Sequence, residues 1–428
     1  MRKVVLAAAT VLFFSFTGLF GQKNAYANKL VEANDYISLD NYLQTSQLPQ
    51  SERNIYKALL LSVFNQPAAS NQQLNSIFAA KDVQISDSMM FHLLTANVTN
   101  YVNLFDYTHA YETGNMLIAK YKSFYSKDDL EEVVQSLNFF KALSQASCPV
   151  EMLTKKDDSQ ISVARDSIGM MRIAVNVNDN AGSFIFDTGA PVSLISDSLA
   201  KAWHLIIAPS SGIYLKSNGT DIATSTQVGY AKHLIIGNMD FSNVVFSIWP
   251  DKALSVPQIN YKLNGIIGYP IFKEFGQFSI SNGIMMVPKN IALTHAKPNF
   301  FVDSDSRPVF DMYYKGKGLP FTLDMGSSDV DLNDIFYNLD KPYFDSIGVK
   351  SEKQISGLGG AIKNQILTVP NLQLNLSDNL PISFKNVDIH LNGLPADGKT
   401  YYGNIGQSLI NHFKKMTVDF INSTLTFQ

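Results

Sequence analysis

The feature that most constrains the fold is a pattern that occurs twice in the C-terminal part of the chain. An apolar segment leads into Asp187-Thr188-Gly189, and a similar segment leads into Asp324-Met325-Gly326. A second motif, Gly265-Ile266-Ile267-Gly268, corresponds to Gly403-Asn404-Ile405-Gly406. The last glycine of this motif lies 81 residues after the aspartate in the first copy and 82 residues after it in the second. Apolar and polar residues alternate around both copies, which predicts two similar units made mainly of β-strands.

With this spacing, residues 160–428 resemble the aspartic peptidases, and more closely the retropepsin-like bacterial branch than the longer pepsins. The resemblance implies two similar lobes, each a closed β-barrel-like unit, that meet at a cleft. It also implies that each lobe contributes one catalytic aspartate, Asp187 or Asp324, from its Asp-x-Gly turn. Two carboxyl groups held about 3 Å apart retain one proton, so the pair acts as base and acid on a water molecule.

The resemblance assigns supporting roles to neighbouring residues. Those that would support the carboxyl groups are Thr188, Gly189, Gly326 and Ser327. Those that would form the tip of a substrate-binding flap in the second lobe are Gly357, Leu358, Gly359 and Gly360. A plain flexible hairpin is the alternative for this glycine-rich segment, and residues 216–219 would be its counterpart in the first lobe. Because Ser327 carries a hydroxyl where the first lobe has Ala190, we expect Asp324 to ionise first.

Met325 departs from the family pattern, because its side chain cannot return the hydroxyl bridge that Thr188 can make between the lobes. The chain therefore fits two functions. One is an exported aspartic endopeptidase that hydrolyses peptide bonds with a water activated by Asp187 and Asp324. The alternative is a catalytically inactive homologue that binds peptides or proteins. The two aspartates, their glycines and a flap favour the enzyme, whereas Met325 favours the binding module.

Residues 1–27 have the features of a signal peptide. A positive start at Arg2 and Lys3 precedes an apolar run that ends at Phe20, and Ala25-Tyr26-Ala27 forms a cleavage site with small residues. We therefore expect an exported protein, periplasmic or extracellular. Beyond this segment the sequence has no stretch of the roughly 18 apolar residues that a membrane-spanning helix needs.

The predicted domains after the signal peptide are a helical domain at 28–148 and two peptidase lobes at 149–295 and 296–428. About six amphipathic helices are expected in the first of these, with N-caps at Ser70 and Ser126. The segment from Asn103 to Ala110 is similar to the inter-helix region of a tetratricopeptide repeat, and an irregular helical bundle is the alternative. This domain is also the predicted surface for a protein partner.

Composition and charge exclude several other functions. The chain has 34 Lys and Arg against 37 Asp and Glu, which provides no basic field for binding nucleic acid. The seven histidines lack metal-ligand spacing, so no metal and no cofactor is expected. Cys148 is the single cysteine, and its surroundings carry no cysteine-protease signature, so it is interpreted as a structural thiol. The predicted binding partner is a peptide or protein substrate.

Overall fold

The computed structural model describes residues 25–80, 84–210, 212–216, 220, 222–256, 259–376, 380–393 and 401–428. The described chain is helical up to Gln145 and consists mainly of β-strands from Met152 onward. This order confirms the prediction of a helical region followed by a largely β region. The domain boundaries, the internal duplication and the likeness to a tetratricopeptide repeat remain predictions.

The helical region starts with a helical stretch at residues 25–32, named α1. The helices that follow it in the described chain are α2 Tyr36–Thr45, α3 Gln50–Val63, α4 Pro67–Ala79, α5 Asp87–Asn103, α6 Tyr107–Tyr121 and α7 Lys127–Gln145. Ser126 caps α7, because its hydroxyl accepts a hydrogen bond from the Asp129 backbone N–H at 3.1 Å, as predicted. The predicted cap at Ser70 is wrong. Helix α4 already begins at Pro67, which tolerates the first helical position, and the Ser70 hydroxyl donates instead to the Ala58 carbonyl at 2.7 Å.

The strands that follow the helices, up to Val287, form the first β unit. They are β1 Met152–Lys155, β2 Ser159–Arg165, β3 Met171–Val177, β4 Asn180–Phe186, β5 Ser193–Ser196, β6 Ile206–Ile207, β7 Ile213–Leu215, β8 Thr224–Ile236, β9 Met239–Trp249, β10 Ser255–Val256, β11 Tyr261–Lys262, β12 Gly265–Ile267, β13 Gln277–Ser281 and β14 Ile284–Val287. Two short helices, α8 Asp197–Ala202 and α9 Tyr269–Phe275, lie among them.

The second β unit begins at Phe300. Its strands are β15 Phe300–Val302, β16 Pro308–Tyr314, β17 Lys317–Leu323, β18 Val330–Leu332, β19 Val349–Gly357, β20 Gly360–Asn375, β21 Pro381–His390, β22 Gly403–Ile405, β23 Met416–Asp419 and β24 Thr424–Phe427. Its helices are α10 Asp334–Tyr337 and α11 Lys341–Ile347.

Two large sheets account for most of the described strands. One follows the order β24-β23-β13-β14-β2-β3-β4-β12-β5-β9-β8-β6, with β1 added on β9 and β7 added on β8. The other follows the order β15-β16-β17-β22-β18-β21-β20-β19. Because β23 pairs antiparallel with β13, from Gln277 opposite Asp419 to Ile280 opposite Met416, the C-terminal strands extend the sheet of the first unit. The two β units are therefore joined by backbone hydrogen bonds as well as by side chains.

The helical region packs against both β units. Phe139 and Leu143 of α7 share an apolar cluster with Ile213 of β7 in the first unit. On the other side, Tyr36 of α2 meets Phe301 of β15 edge to face, with ring centroids 5.2 Å apart. The helices thus contact the same two units that carry the Asp-x-Gly turns. Among the described residues no helix is both long and apolar enough to cross a membrane.

Candidate active site

The two Asp-x-Gly turns leave the β-strands in the same way. Strand β4 ends one residue before Asp187, and β17 ends one residue before Asp324. Each of these strands pairs in parallel with the strand of the second motif, β12 or β22. The Asp187 N–H donates to the Ile267 carbonyl at 3.1 Å, and the Asp324 N–H donates to the Ile405 carbonyl at 3.0 Å. The motif identified by its spacing therefore supports the backbone of each Asp turn directly.

The carboxyl groups of Asp187 and Asp324 face each other, and a side-chain hydrogen bond links them. The opposing glycines make this approach sterically feasible. A Cβ atom on Gly326 would lie 2.3 Å from the Asp187 Cγ, and one on Gly189 would lie 2.8 Å from the Asp324 Cγ. Any larger residue at either position would therefore push the two carboxyl groups apart.

Asp187 has an unusual protonation equilibrium. Burial raises its pKa well above the ordinary value, and the charge of Asp324 and the hydrogen bond to it raise the pKa further. Backbone N–H groups of Gly189 and Ala190 oppose this shift, the former at 2.8 Å. The balance favours the protonated form of Asp187.

We expect this raised pKa to make stability depend on pH. A carboxyl group whose pKa is raised in the folded state contributes its full stabilisation of the fold below the unfolded-state pKa of about 3.9. This stabilisation is lost as the pH rises through the folded-state pKa. The wild-type melting temperature should therefore fall with rising pH relative to that of Asp187→Asn, which has no such proton. Thermal unfolding across a pH series measures the difference. The exposed-site variant Asp157→Asn should follow wild type, and parallel curves for wild type and Asp187→Asn would contradict the expectation.

Asp324 accepts two hydrogen bonds besides its contact with Asp187. The Gly326 N–H donates to Oδ1 at 2.7 Å, and Asn404 Nδ2 donates to Oδ2 at 2.8 Å.

The predicted donor to Asp324, Ser327, instead directs its hydroxyl to the Asp329 carbonyl at 3.5 Å. The described hydrogen bond of the Ser327 hydroxyl goes to Asp329 and not to Asp324, so this part of the prediction is wrong. Sequence analysis missed Asn404, although a polar residue within an otherwise apolar motif was a usable signal.

Thr188 connects the two Asp turns. It is 1% exposed, and its hydroxyl donates to the Leu323 carbonyl at 2.9 Å while accepting the Met325 N–H at 3.0 Å. The buried Met325 cannot make the reciprocal bridge, but its carbonyl accepts a hydrogen bond from Gln407 Nε2 at 2.7 Å. Arg165 of the first unit donates to the Gln407 side-chain oxygen. A second link between the units therefore occupies the side that Met325 leaves without a hydroxyl.

The glycine-rich segment of the second unit is the tip of the β19–β20 hairpin, in which Gly357 pairs with Gly360. This tip lies on the first unit. The Leu358 carbonyl accepts a hydrogen bond from the Thr220 hydroxyl at 2.7 Å, and the Gly359 N–H donates to the Ala253 carbonyl at 3.1 Å. The Leu358 side chain packs on an apolar cluster that includes Ile185, two residues before Asp187.

The counterpart expected in the first unit falls mostly on residues 217–219, which lie outside the described residues. The strand that leads to it, β7, contacts the helical region. The Tyr214 N–H donates to the Gln135 side-chain oxygen at 2.9 Å, and Lys216 lies 3.8 Å from Glu132. Helix α7 thus supports the base of this segment.

Metal binding and the single cysteine are the other chemistries that the sequence raises. The described part of the chain contains no group of three or more His, Cys, Asp or Glu side chains arranged to hold a metal ion. Burial, with a smaller contribution from Glu151, raises the pKa of the Cys148 thiol to about 12. Such a thiol is almost fully protonated near neutral pH and is a poor nucleophile.

Part of the chain matches the model of a known protein family. Residues 173–271, which contain Asp187 and the motif that ends at Gly268, match the family model described as aspartyl protease. This segment is similar to the aspartyl protease family. The resemblance inferred from sequence is therefore confirmed for the matched part of the chain.

The match to the aspartyl protease model covers less than half of the chain. One solved structure that matches part of the chain is that of a retropepsin-like aspartic protease from Rickettsia conorii, at 18% sequence identity and a TM-score of 0.23. The alignment covers 32% of this chain and 92% of that one. No curated protein matches the chain.

Proposed function

We propose that this protein is an exported aspartic endopeptidase that hydrolyses peptide bonds with a water molecule activated by Asp187 and Asp324. The observation that carries the proposal is the pair of facing carboxyl groups, joined by a hydrogen bond and each held by the glycine of its own turn. A general acid and a general base placed on one water molecule are what amide hydrolysis requires. The aspartyl protease match around Asp187 supports the same assignment.

The proposed reaction uses the two carboxyl groups in different roles. Charged Asp324 removes a proton from the water as its oxygen attacks the carbonyl carbon of the peptide bond. Asp187 donates its proton to the carbonyl oxygen, which yields a neutral tetrahedral intermediate. This intermediate breaks down when Asp324 gives the proton that it took from water to the leaving nitrogen and the carbon–nitrogen bond cleaves. Asp187 then takes a proton from a hydroxyl of the intermediate, which leaves a carboxylic acid product and restores both carboxyl groups. No covalent bond to the protein forms at any step.

In this proposal the two β units are copies of one ancestral unit, and each supplies one carboxyl group. Support comes from the matched hydrogen bonds of the two Asp turns and from the parallel strand pairs β4–β12 and β17–β22. The signal peptide at residues 1–27 would direct the protein to the periplasm or the extracellular space. The helical region would be available to a protein partner.

The proposed function is tested by incubating the exported protein with a diverse peptide pool from acidic to neutral pH and identifying products by mass spectrometry. We expect cleavage that a statine-type inhibitor blocks, that Asp324→Asn lacks and that a zinc chelator leaves unchanged. If a folded protein binds peptides but cleaves none at any pH, the alternative of a catalytically inactive binding module is correct.

The β19–β20 hairpin is the proposed flap, and Gly359 allows its tip to reach the first unit. Gly359 has a φ of +84°, and a Cβ atom there would lie 2.9 Å from Thr224 Oγ1 and 3.2 Å from the Ile222 carbonyl oxygen. We expect Gly359→Ala to raise KM and lower kcat together, because a flap that cannot seat neither holds the peptide nor excludes water. Steady-state kinetics on one peptide substrate measures both constants.

Gly316 provides a matched control for the flap variant. It has a φ of +81° in the turn between β16 and β17, and a Cβ atom there would have no neighbour within 4 Å. Gly316→Ala therefore introduces the same backbone strain without a collision, so it should lower stability slightly and leave kinetics unchanged. Equal kinetic constants for the two variants would show that the hairpin is not a flap.

A further inference from the structure

The two Asp turns differ at one position of the adjoining strand. In the first unit, Ile266 of β12 lies beside β4 in the parallel register. In the second unit the same position of the motif holds Asn404 of β22, opposite Thr322 of β17. An isoleucine side chain has no hydrogen-bonding group, whereas asparagine has a donor and an acceptor. The two carboxyl groups therefore have chemically different neighbours, although their backbones are held alike.

Asn404 is oriented to stabilise a negative charge on Asp324. Its Nδ2 atom donates to Asp324 Oδ2 at 2.8 Å, while its Oδ1 atom accepts the hydroxyl hydrogen of Thr322 at 2.7 Å. Thr322 is buried, so its hydroxyl holds the amide in one orientation. With both amide atoms engaged, the N–H group points at the carboxyl group and the C=O group points away from it.

The described donors to Asp187 are backbone N–H groups at Gly189 and Ala190. Asp324 has one backbone donor, Gly326, and the Asn404 side chain in addition. Backbone donors come with the turn itself and change little with substitution. The side-chain donor is therefore the element that the sequence can vary without altering the turn.

We propose that Asn404 is a positioning residue that places the negative charge of the carboxyl pair on Asp324 and leaves the proton on Asp187. The inference rests on the proposed function, because it assigns the base and the acid of that reaction. A hydrogen bond to the charged form of a carboxyl group favours its ionisation. Asn404 donates to Asp324, so within the coupled pair its hydrogen bond favours the charge on that carboxyl group.

The other charged groups of this region have partners of their own. Asp187 is the titratable group in direct contact with Asp324. Further along the second turn and β18, Asp329 accepts a hydrogen bond from Ser328 at 2.9 Å, and Asp331 lies 3.1 Å from His390 Nε2. On the hairpin strand β19, Lys353 contacts Asp388 at 2.5 Å. Asn404 is neutral and lies opposite Asp331 in the register of β18 and β22, so replacing it with another neutral residue changes the donor to Asp324 without removing any of these charged groups.

The test replaces Asn404 with Ile, the residue of the first unit, and measures kcat/KM against pH. We expect the acidic limb of the profile to move to higher pH by about one unit, because the charged base forms less readily without its donor. Thr322→Val removes only the hydroxyl that orients the amide, so its shift should have the same direction and a smaller size. This second variant preserves the test if Asn404→Ile folds poorly, which circular dichroism would show.

A second measurement separates this inference from the proposed function. Carbon-13 NMR of the aspartate carboxyl carbons, assigned with Asp187→Asn and Asp324→Asn, follows the pair whether or not peptide is cleaved. We expect the first deprotonation of the carboxyl pair to occur at higher pH in Asn404→Ile than in wild type. Unmoved signals together with an unmoved acidic limb would overturn the role of Asn404. A wild-type protein without hydrolysis, in which the NMR shift is still observed, would overturn the proposed function alone.

Discussion

Asp187→Asn and Asp324→Asn are each expected to remove peptide hydrolysis while the protein remains folded. Asn has nearly the shape of Asp, so either variant fits beside the opposing glycine. Asn at 324 cannot accept the proton of the attacking water, and Asn at 187 cannot provide an acidic proton to the carbonyl oxygen. The loss of either role should lower kcat by roughly 10²- to 10⁴-fold.

The two Asn variants differ in a way that checks the assignment. Because the raised pKa of Asp187 is due in part to the charge of Asp324, Asp324→Asn should weaken the dependence of stability on pH as well as abolish activity. Active-site titration with a statine-type inhibitor and circular dichroism provide the folding control. Near-normal turnover by either variant would show that the carboxyl pair is not the catalytic centre.

Thr188→Val is expected to damage both stability and activity. The hydroxyl of Thr188 makes two buried hydrogen bonds, to the Leu323 carbonyl and from the Met325 N–H, and valine has the same shape without the hydroxyl. Two buried backbone groups would lose their partner, at a cost of about 1–3 kcal/mol in the free energy of unfolding. Because these groups flank Asp324, kcat should also fall by roughly 10- to 100-fold through misplacement of the carboxyl group.

Thr226 offers a matched control for Thr188→Val. Its side chain is 7% exposed, and its hydroxyl has no hydrogen-bond partner among the described residues. Thr226→Val therefore removes a buried hydroxyl without breaking a hydrogen bond, and it should be neutral or slightly stabilising. Chemical denaturation and kinetics of the two variants form the comparison. Similar losses for both would mean that the bridge from Thr188 contributes nothing beyond burial.

The local structures that were predicted correctly are those that a few neighbouring residues determine. The Ser126 cap depends on a hydroxyl and on the Asp129 N–H within one turn of helix. The prediction of a cap at Ser70 failed because the preceding Pro67 already starts the helix, and Ser70 found a partner, the Ala58 carbonyl, on a neighbouring helix. That partner is brought close by packing, which no local pattern specifies.

The glycine-rich segment illustrates the same division. Its sequence predicted a hairpin tip, and the pairing of Gly357 with Gly360 agrees with that expectation. The contacts of the tip with Thr220 and Ala253 join residues more than a hundred positions apart. These contacts depend on how the two units are placed, because each hydrogen bond needs a partner from the other unit.

The sequence by itself determined the repeated Asp-x-Gly turns and the motif that supports each of them. Strand periodicity, turn glycines and constant spacing all follow from the order of residues along the chain. Only the tertiary structure decided which groups surround each carboxyl group. The hydroxyl of Ser327 turned away from Asp324, and Asn404, 80 residues further along the chain, took the place of donor. A hydrogen bond acts over about 3 Å, so the chemical difference between two similar turns follows from distances that only the folded chain defines.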